Sequence, residues 1–529
     1  MELLALGVQF FMTNILSEKT ATIQSYSFIG LECVAVEIEV DVSPGLPSFI
    51  IVGLPDAAVS EARDRVRAAI KNSGYSFPAM RVTVNLAPAQ IPKAGSLYDL
   101  PIAIGILLAS RAIKAKRELP RMIGELALSG RIRPVRGALP VAAAASRNRQ
   151  AIIVPCDNLP ELKLLEKVHL LPASSLQQVI GFILGQTELN MPELEQVAEL
   201  VQNPAVDFSD IVGQSLAKYA CMVAAAGHHN LLMSGPPGVG KSLLAKALVG
   251  ILPPPSQTEQ LESTMIHSVV GRSQALLQVR RPYRAPHHSA SPASILGGSR
   301  QLLPGEVSLA HTGVLFFDEL PEYRRDVIEA LRQPLEDGTI TITRAVGSVT
   351  YPAQCLFVAA ANPCPCGFYG YDLPDRNRQC TCAFVDVQRY NRKLSGPLLD
   401  RIDLKIKLPF IRPHELTVSK SAPESSESIR RQVTLARRVQ QERQGKANGL
   451  LTPKELKKLI ALDTPAEQLM KLALDKYGLS MRGYAKTLRL ARTIADLGGS
   501  DDVIQSHIAE ALQLSGALTA NDLNSGSVG

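Results

Sequence analysis

From Val34 to Val42 apolar and polar positions alternate strictly, with Val34, Val36, Ile38, Val40 and Val42 set against Ala35, Glu37, Glu39 and Asp41. That is the period of a strand with one buried face. Asp56 then stands where an N-cap belongs, ahead of a helix whose inner face is Val59, Ala62, Val66 and Ile70 and which Gly74 ends. A second alternating run, Val82-Val84-Leu86, leads through a Pro-rich turn into an apolar stretch, Ile102 to Ala109, that reads as a helix. These elements predict an α+β domain over residues 25–185, preceded by an extension, 1–24. Residues 186–206 are acidic, show one short helical stretch, and read as a linker.

Over residues 207–410 strand and helix patterns alternate, which predicts a parallel α/β sheet covered on both faces. Strand Leu231-Leu232-Met233 runs into Gly235, strand Val314 to Phe317 into Asp318, and strand Leu356 to Ala361 into Asn362. Polar groups thus sit at the C-terminal ends of three strands, where open α/β sheets bind ligands. After 411 a Ser/Glu/Pro stretch, Ser419 to Ser428, gives way to helical periodicity up to Leu514, and a Gly/Ser/Asn tail, 515–529, reads as frayed. We find no internal repeat.

The chain has 529 residues, 46% of them apolar and 20% charged, which excludes disorder, collagen and coiled coil and implies about three domains. A formal charge of +7 means that any nucleic-acid site must be local rather than a general basic coat. The longest apolar run, Leu100 to Ala109, is about half of a membrane span and predicts no membrane segment. Met1 to Phe11 lacks a basic stretch, Lys19 being the first cation, so a signal peptide is not expected and Met12 reads as a possible alternative start. Cys33, Cys156, Cys221 and Cys355 stand alone, whereas Cys364, Cys366, Cys380 and Cys382 cluster. Such a distribution predicts a cytoplasmic protein with one metal-type site rather than a disulfide framework.

The strongest chemical signal is Gly235-Pro236-Pro237-Gly238-Val239-Gly240-Lys241-Ser242, a phosphate loop between a predicted strand and the helix Leu243 to Leu248. Glycines let successive backbone amides turn toward phosphate at a helix N-terminus, Lys241 reaches the β/γ oxygens, and the Ser242 hydroxyl binds Mg²⁺. A chance glycine-rich turn is the competing reading, and the strand and helix flanks argue against it. The buried strand ending at Phe317 delivers Asp318, a metal-holding carboxylate, and Glu319, which can polarise water; a capping acidic pair is the plainer alternative. Asn362 supplies an amide able to orient that water, although a turn asparagine would look the same in isolation.

Together these residues resemble the AAA+ ATPase superfamily, with Asn362 in the place of sensor 1. Arg281-Pro-Tyr-Arg284-Ala-Pro-His-His288 and Leu398-Leu-Asp-Arg401-Ile-Asp403 narrow the resemblance to the magnesium-chelatase-like branch. Val52-Gly-Leu-Pro-Asp56 and Val84-Asn-Leu-Ala-Pro88, joined to that motor on one chain, narrow it to the bacterial YifB/ComM family over about Ser25 to Leu514. The resemblance implies a P-loop core, a C-terminal helical lid over 411–514, ATP and Mg²⁺ as cofactors, and a homohexameric ring. In that reading Arg401 is a finger for the neighbour's γ-phosphate and Arg482, in Ser480-Met-Arg-Gly, is sensor 2; a lone Arg with Asp two residues on otherwise suggests a surface ion pair.

Residues 263–305 hold Arg272, Arg280, Arg281, Arg284 and Arg300, with His287 and His288 and no acid. Thr339 to Tyr351 alternates like a β-hairpin with Arg344 at its tip. The resemblance implies that both line the pore, where Arg281, Arg284 and Arg344 suit a DNA phosphate backbone. The same arginines equally suit acids of the next subunit. Helix 429–446, with Arg430, Arg431, Arg437, Arg438, Arg443 and Lys446, reads as a solvated face.

Cys364-Pro-Cys366 and Cys380-Thr-Cys382 supply four thiolates, enough for one structural Zn²⁺, although C-x-C spacing does not assure the usual knuckle turn. Free or redox-active thiols are the alternative. The N-terminal domain resembles the proteolytic domain of Lon through Pro92-Lys93-Ala-Gly-Ser96 and Ile123-Gly-Glu-Leu to Gly137-Ala-Leu-Pro140. Pro140 stands in the place of the catalytic lysine and cannot accept a hydroxyl proton, so no peptidase activity is expected. Lys93 and Ser96 remain open to contact with a partner or DNA, or to a turn. The expected function is ATP-dependent remodelling of branched or single-stranded DNA, branch migration in recombination and natural transformation being the concrete form. A magnesium-chelatase motor subunit and a protein unfoldase are the alternatives.

Overall fold

The structure, a computed structural model, describes residues 20–517 apart from 55, 92, 94, 193–205, 272–279, 299–301, 345–346, 372–378, 395, 411–423 and 478. The expected extension before Thr20, most of the linker, Arg272, Arg300, the first half of the Ser/Glu/Pro stretch and the end of the tail therefore lie outside the described residues.

The N-terminal part begins with β1 (Thr20–Ile29), so its first strand starts before the boundary expected at residue 25. β1, β2 (Glu32–Ser43), β3 (Ser48–Val52) and β4 (Arg81–Ala87) form one sheet in the order β1-β2-β4-β3, antiparallel except for β3 beside β4. The predicted alternation is realised from Val36 onward: Val36, Ile38, Val40 and Val42 are buried with Val82, Val84 and Leu86, while Glu37 and Glu39 face water and Val34, near the strand's start, is exposed. Helix α1 (Ala57–Asn72) starts where Asp56 accepts the Val59 N–H at 2.9 Å. Helix α2 (Asp99–Ala109) is apolar all round because it is buried all round, packed on β1, β2 and α1. A two-residue strand pair, β6 (Glu125–Leu126) with β7 (Ile132–Arg133), and a parallel sheet of β5 (Arg121–Met122), β8 (Ile152–Pro155) and β9 (Leu170–Ala173) complete this part. Helix α3 (Ala138–Arg147) lies among them and places Pro140 in the buried core.

The central sheet has five parallel strands in the order β11-β12-β15-β10-β16, namely Tyr283–Arg284, Val314–Phe317, Leu356–Ala361, Leu231–Ser234 and Leu404–Lys407. The inner strands β12 and β15 are continuous apolar runs because both of their faces are covered, whereas the edge strand β16 alternates buried Leu404 and Ile406 with Lys405 and Lys407. One face buries Met233, Phe316 and Val358 beneath α4 (Ser215–Gly227), α5 (Lys241–Ile251) and the C-terminal helices; the other buries Leu315, Phe317 and Phe357 beneath the hairpin β13–β14 (Thr339–Arg344, Gly347–Pro352). The C-terminal helices are α8 (Ser426–Gln444), α9 (Thr464–Tyr477), α10 (Met481–Leu497) and α11 (Gln505–Leu514), and α8 and α10 pack directly on α4.

Helix α6 (Gln257–Val269) joins the two parts. Its Leu261 and Met265 pack on the N-terminal core, and Ser268 accepts the Gly137 N–H through its carbonyl at 2.9 Å.

Helix α8 departs from the expected solvated basic face. Arg437 donates to the carbonyls of Ala225 and Ala226 at 2.8 and 2.9 Å, and Arg443 pairs with buried Asp496 at 2.8 Å, so only part of the row faces solvent. The sequence shows the charges but not the helix C-terminus and the acid that take them up. Of the two roles left open for Lys93 and Ser96, the structure favours the turn: Lys93 is buried and donates to the Pro88 carbonyl, and Ser96 lies half-buried in a bend and donates to Glu125.

Candidate nucleotide site

The three expected strand ends converge at the C-terminal edge of the central sheet. Gly235 to Ser242 link β10 to α5, and Gly240 adopts a φ of +91° before Lys241 opens the helix, a conformation that favours glycine. Backbone amides at this helix start are thereby turned toward the position of a phosphate.

Lys241 is buried, and its ammonium donates to Gly235 O at 2.6 Å, Pro236 O at 2.9 Å and Asn362 Oδ1 at 3.0 Å. Burial lowers the pKa of Lys241, and the carboxylates of Asp318 and Glu319 oppose that shift. Ser242 Oγ donates to Asp318 Oδ2 at 2.7 Å, which sets a hydroxyl and a carboxylate side by side as hard oxygen ligands for Mg²⁺. Glu319 follows with φ +51°, an uncommon left-handed conformation for a non-glycine residue, and its N–H donates to Asp318 Oδ1 at 3.0 Å. That turn separates the two carboxylates, one toward Ser242 and the other to within 4.0 Å of His288 Nδ1.

Arg401 is not with them. Its guanidinium donates to Pro397 O at 2.7 Å and pairs with Glu336, and Asn230 Nδ2 holds its carbonyl at 2.9 Å. Two residues on, Asp403 pairs with His229 at 3.2 Å, whose other ring nitrogen meets Thr493 of α10 at 2.8 Å. Arg482 is exposed in the first turn of α10, which Ser480 caps. Sequence reasoning missed Glu336, His229 and Asn230, because acids and amides remote in sequence carry no local signature.

The acid-free reading of 263–305 needs correction. Arg281 pairs with Glu259 at 3.0 Å and donates to Thr312 O at 2.6 Å; Arg284 donates to Glu306 at 2.6 Å. Both acids lie just outside the window that looked free of them. Arg344 ends β13 with an exposed side chain whose Nε donates to Gly298 O at 3.0 Å.

The four clustered cysteines come together, all sulfurs within 4.8 Å of one another. Separations of 3.3, 3.8 and 3.6 Å between Cys364 and Cys366, Cys364 and Cys380, and Cys366 and Cys380 approach the ~3.8 Å edge of a tetrahedron with Zn–S near 2.3 Å. The residues thus fit a closed four-thiolate site. Gly367, at φ +90°, lies against Pro237 of the phosphate loop: a Cβ there would come 2.7 Å from Pro237 Cδ. The cysteine loop therefore buttresses the nucleotide site.

The comparisons agree with this geometry. Residues 207–416 match the model for magnesium chelatase subunit ChlI, 38–158 that for subunit ChlI of Mg-chelatase, and 423–515 that for the ChlI C-terminal region. The competence protein ComM of Haemophilus influenzae is 42% identical over 93% of this chain and 96% of that protein. The uncharacterized protein YifB of Escherichia coli K12 is 43% identical over 92% of this chain and 94% of its own length. A magnesium-chelatase subunit ChlI of Euglena gracilis is 23% identical over only 31% of this chain. No helix among the described residues is long and apolar enough to cross a membrane. A phosphate loop, a metal-type carboxylate and a polar strand tip on one parallel sheet, matched along nearly the whole chain, make this an ATPase of the AAA+ type and a member of the magnesium-chelatase-like YifB/ComM family.

Proposed function

We propose that the protein is a homohexameric, ATP-driven DNA-remodelling motor, most concretely a branch migration helicase serving homologous recombination and natural transformation. Lys241, Ser242 and Asp318 bind MgATP, Glu319 is the general base and Asn362 positions the attacking water. Ser242 and Asp318 would hold Mg²⁺, which would supply charge neutralisation to the bound triphosphate. Arg482, on a C-terminal helical lid, stabilises developing charge within its own subunit.

The observation that carries the reading is the separation of Arg401 from a site otherwise assembled in one chain: its guanidinium is engaged by Glu336 and Pro397, not by the phosphate loop. An arginine so placed completes a neighbour's site. The competence name borne by the Haemophilus relative supports DNA as the substrate. With Arg281 and Arg284 committed to internal acids, Arg344 remains as a pore contact. Phosphate release with and without forked or four-way DNA tests the reading. DNA should raise turnover, with the gain lost as salt rises; equal rates with every DNA form would refute it.

A further inference from the structure

The best-supported unassigned feature is a groove of about 360 Å³ between the segment that follows Glu319 and the short helix Phe384–Asn391. Arg325, Arg389, Arg392 and Lys393 line it, with Glu322 as the one acidic wall residue among the described residues. We propose that this groove binds the phosphate backbone of single-stranded DNA; the inference rests on the DNA-motor reading and locates its substrate.

Charge pairing favours this place over the Arg-rich window 263–305. Arg281, Arg284, Arg401 and Arg443 are each bound to a carboxylate of their own chain. In the groove, Lys393 meets Glu322 only at 3.5 Å and Arg389 meets Asp386 only at 3.7 Å, both pairs in solvent and so worth little. Arg325 and Arg392 have no carboxylate partner among the described residues. Arg324, just outside, is taken by Asp326 at 2.7 Å. Unpaired guanidinium groups converging on a concave surface attract a polyanion and exchange its counterions.

Two further features suit a single strand. Phe384 and Val385, which open the helix that carries Arg389, are 62% and 63% exposed, apolar surface on which an unpaired base leaving the groove can stack. The groove is also rigidly founded. Its helix starts two residues after Cys382, so the cysteine cluster fixes one wall. The Tyr323 ring in the other wall stacks on Phe317, with centroids 4.3 Å apart, and Glu322 N–H donates to Glu319 O at 2.8 Å. A bound strand would therefore press on the turn that carries the catalytic base, which gives the motor a route for sensing DNA.

The test uses the full chain with a non-hydrolysable ATP analogue and a fluorescein-labelled oligothymidylate, followed by anisotropy across a salt series. The double variant Arg325→Ala, Arg392→Ala should bind about tenfold more weakly near 0.1 M salt. Its plot of log affinity against log salt should be shallower by about 1.4, two contacts at about 0.7 each. Lysine at both positions should restore most of the slope. Phe384→Ala should weaken oligothymidylate binding but not that of an abasic strand. Unchanged affinity and slope in the double variant would overturn the groove while leaving the DNA motor intact. So would a double variant that no longer assembles, since the cations would then be subunit contacts. A wild-type protein that binds no form of DNA overturns the motor reading itself, and the groove with it.

Discussion

The ammonium of Lys241 lies 3.0 Å from Oδ1 of Asn362, so the phosphate-loop lysine and the amide at the tip of β15 are directly joined. With Gly235 O and Pro236 O as its other acceptors, all three of its donors are spent within the chain. On the proposed reading, an arriving γ-phosphate would take Lys241 away from Asn362 and leave that amide to face the attacking water. Asn362→Ala should therefore keep nucleotide affinity within a few-fold while turnover falls about 10²–10³-fold, as removal of a positioned polar group does. Lys241→Ala should abolish nucleotide binding. Titration with a fluorescent ATP analogue, beside phosphate release, separates the two; equal loss of affinity in both would show that Asn362 only supports the loop.

Arg401→Ala should leave nucleotide binding largely intact and cut hydrolysis about 10³–10⁵-fold, the range for an arginine acting in trans. Glu319→Gln should bind ATP, fail to cleave it and accumulate as an assembled ring, seen as a mass increase in light scattering. Mixing the two variants gives the sharper outcome. Mixed rings contain interfaces with an intact Glu319 on one side and an intact Arg401 on the other, so some activity should return. No recovery in any mixture would refute a site shared between copies.

Elemental analysis of purified protein should find one zinc per chain, and Cys364→Ser should lose it, because a closed four-thiolate site tolerates no missing ligand. The contact of Gly367 with Pro237 carries the effect further. Loss of the metal should weaken ATP binding as well as thermal stability, although no cysteine touches nucleotide. Wild-type protein free of zinc would dispose of the assignment. Normal ATP affinity in a zinc-free variant would dispose of the coupling.

The legible parts of the molecule were those written in consecutive residues. Val34 to Val42, the Asp56 cap and the run from Gly235 to Ser242 each carry pattern and structure in one stretch, and the structure realises them. Strand ends were legible because an apolar run followed by a polar residue fixes which group reaches the sheet edge. What the sequence concealed were pairings across long separations. Glu259 and Glu306 flank the Arg-rich window by one to four residues and neutralise Arg281 and Arg284, so an acid-free stretch of chain is not an acid-free surface. Glu336 engages Arg401 from 65 residues away, and His229 reaches Thr493 from 264. The cysteine site lay between these cases: composition announced it, but only the folded loop shows that it leans on the phosphate loop.

Acid sensitivity follows from His228. This residue lines a cavity of about 80 Å³ at the base of the central sheet, with Arg437, Arg281, Glu259 and His311 among its other walls and His229 next in sequence. Burial pushes its pKa down to about 3; Arg437, Arg281 and His229 add to the shift and Glu259 opposes it. In the unfolded chain a histidine titrates near 6.5. Between pH ~3 and ~6.5 the unfolded state thus holds the extra proton, so His228 lowers stability as pH falls through that window and has no such effect above it. One proton corresponds to a slope of up to about 1.4 kcal/mol per pH unit. Its backbone sits at φ +58°, which asparagine tolerates better than most residues. His228→Asn should therefore flatten stability against pH between 4 and 6 while leaving neutral-pH folding nearly unchanged, as read from urea unfolding at a series of pH values. Parallel profiles for variant and wild type would show that this imidazole takes up its proton in the folded protein as readily as in the unfolded one.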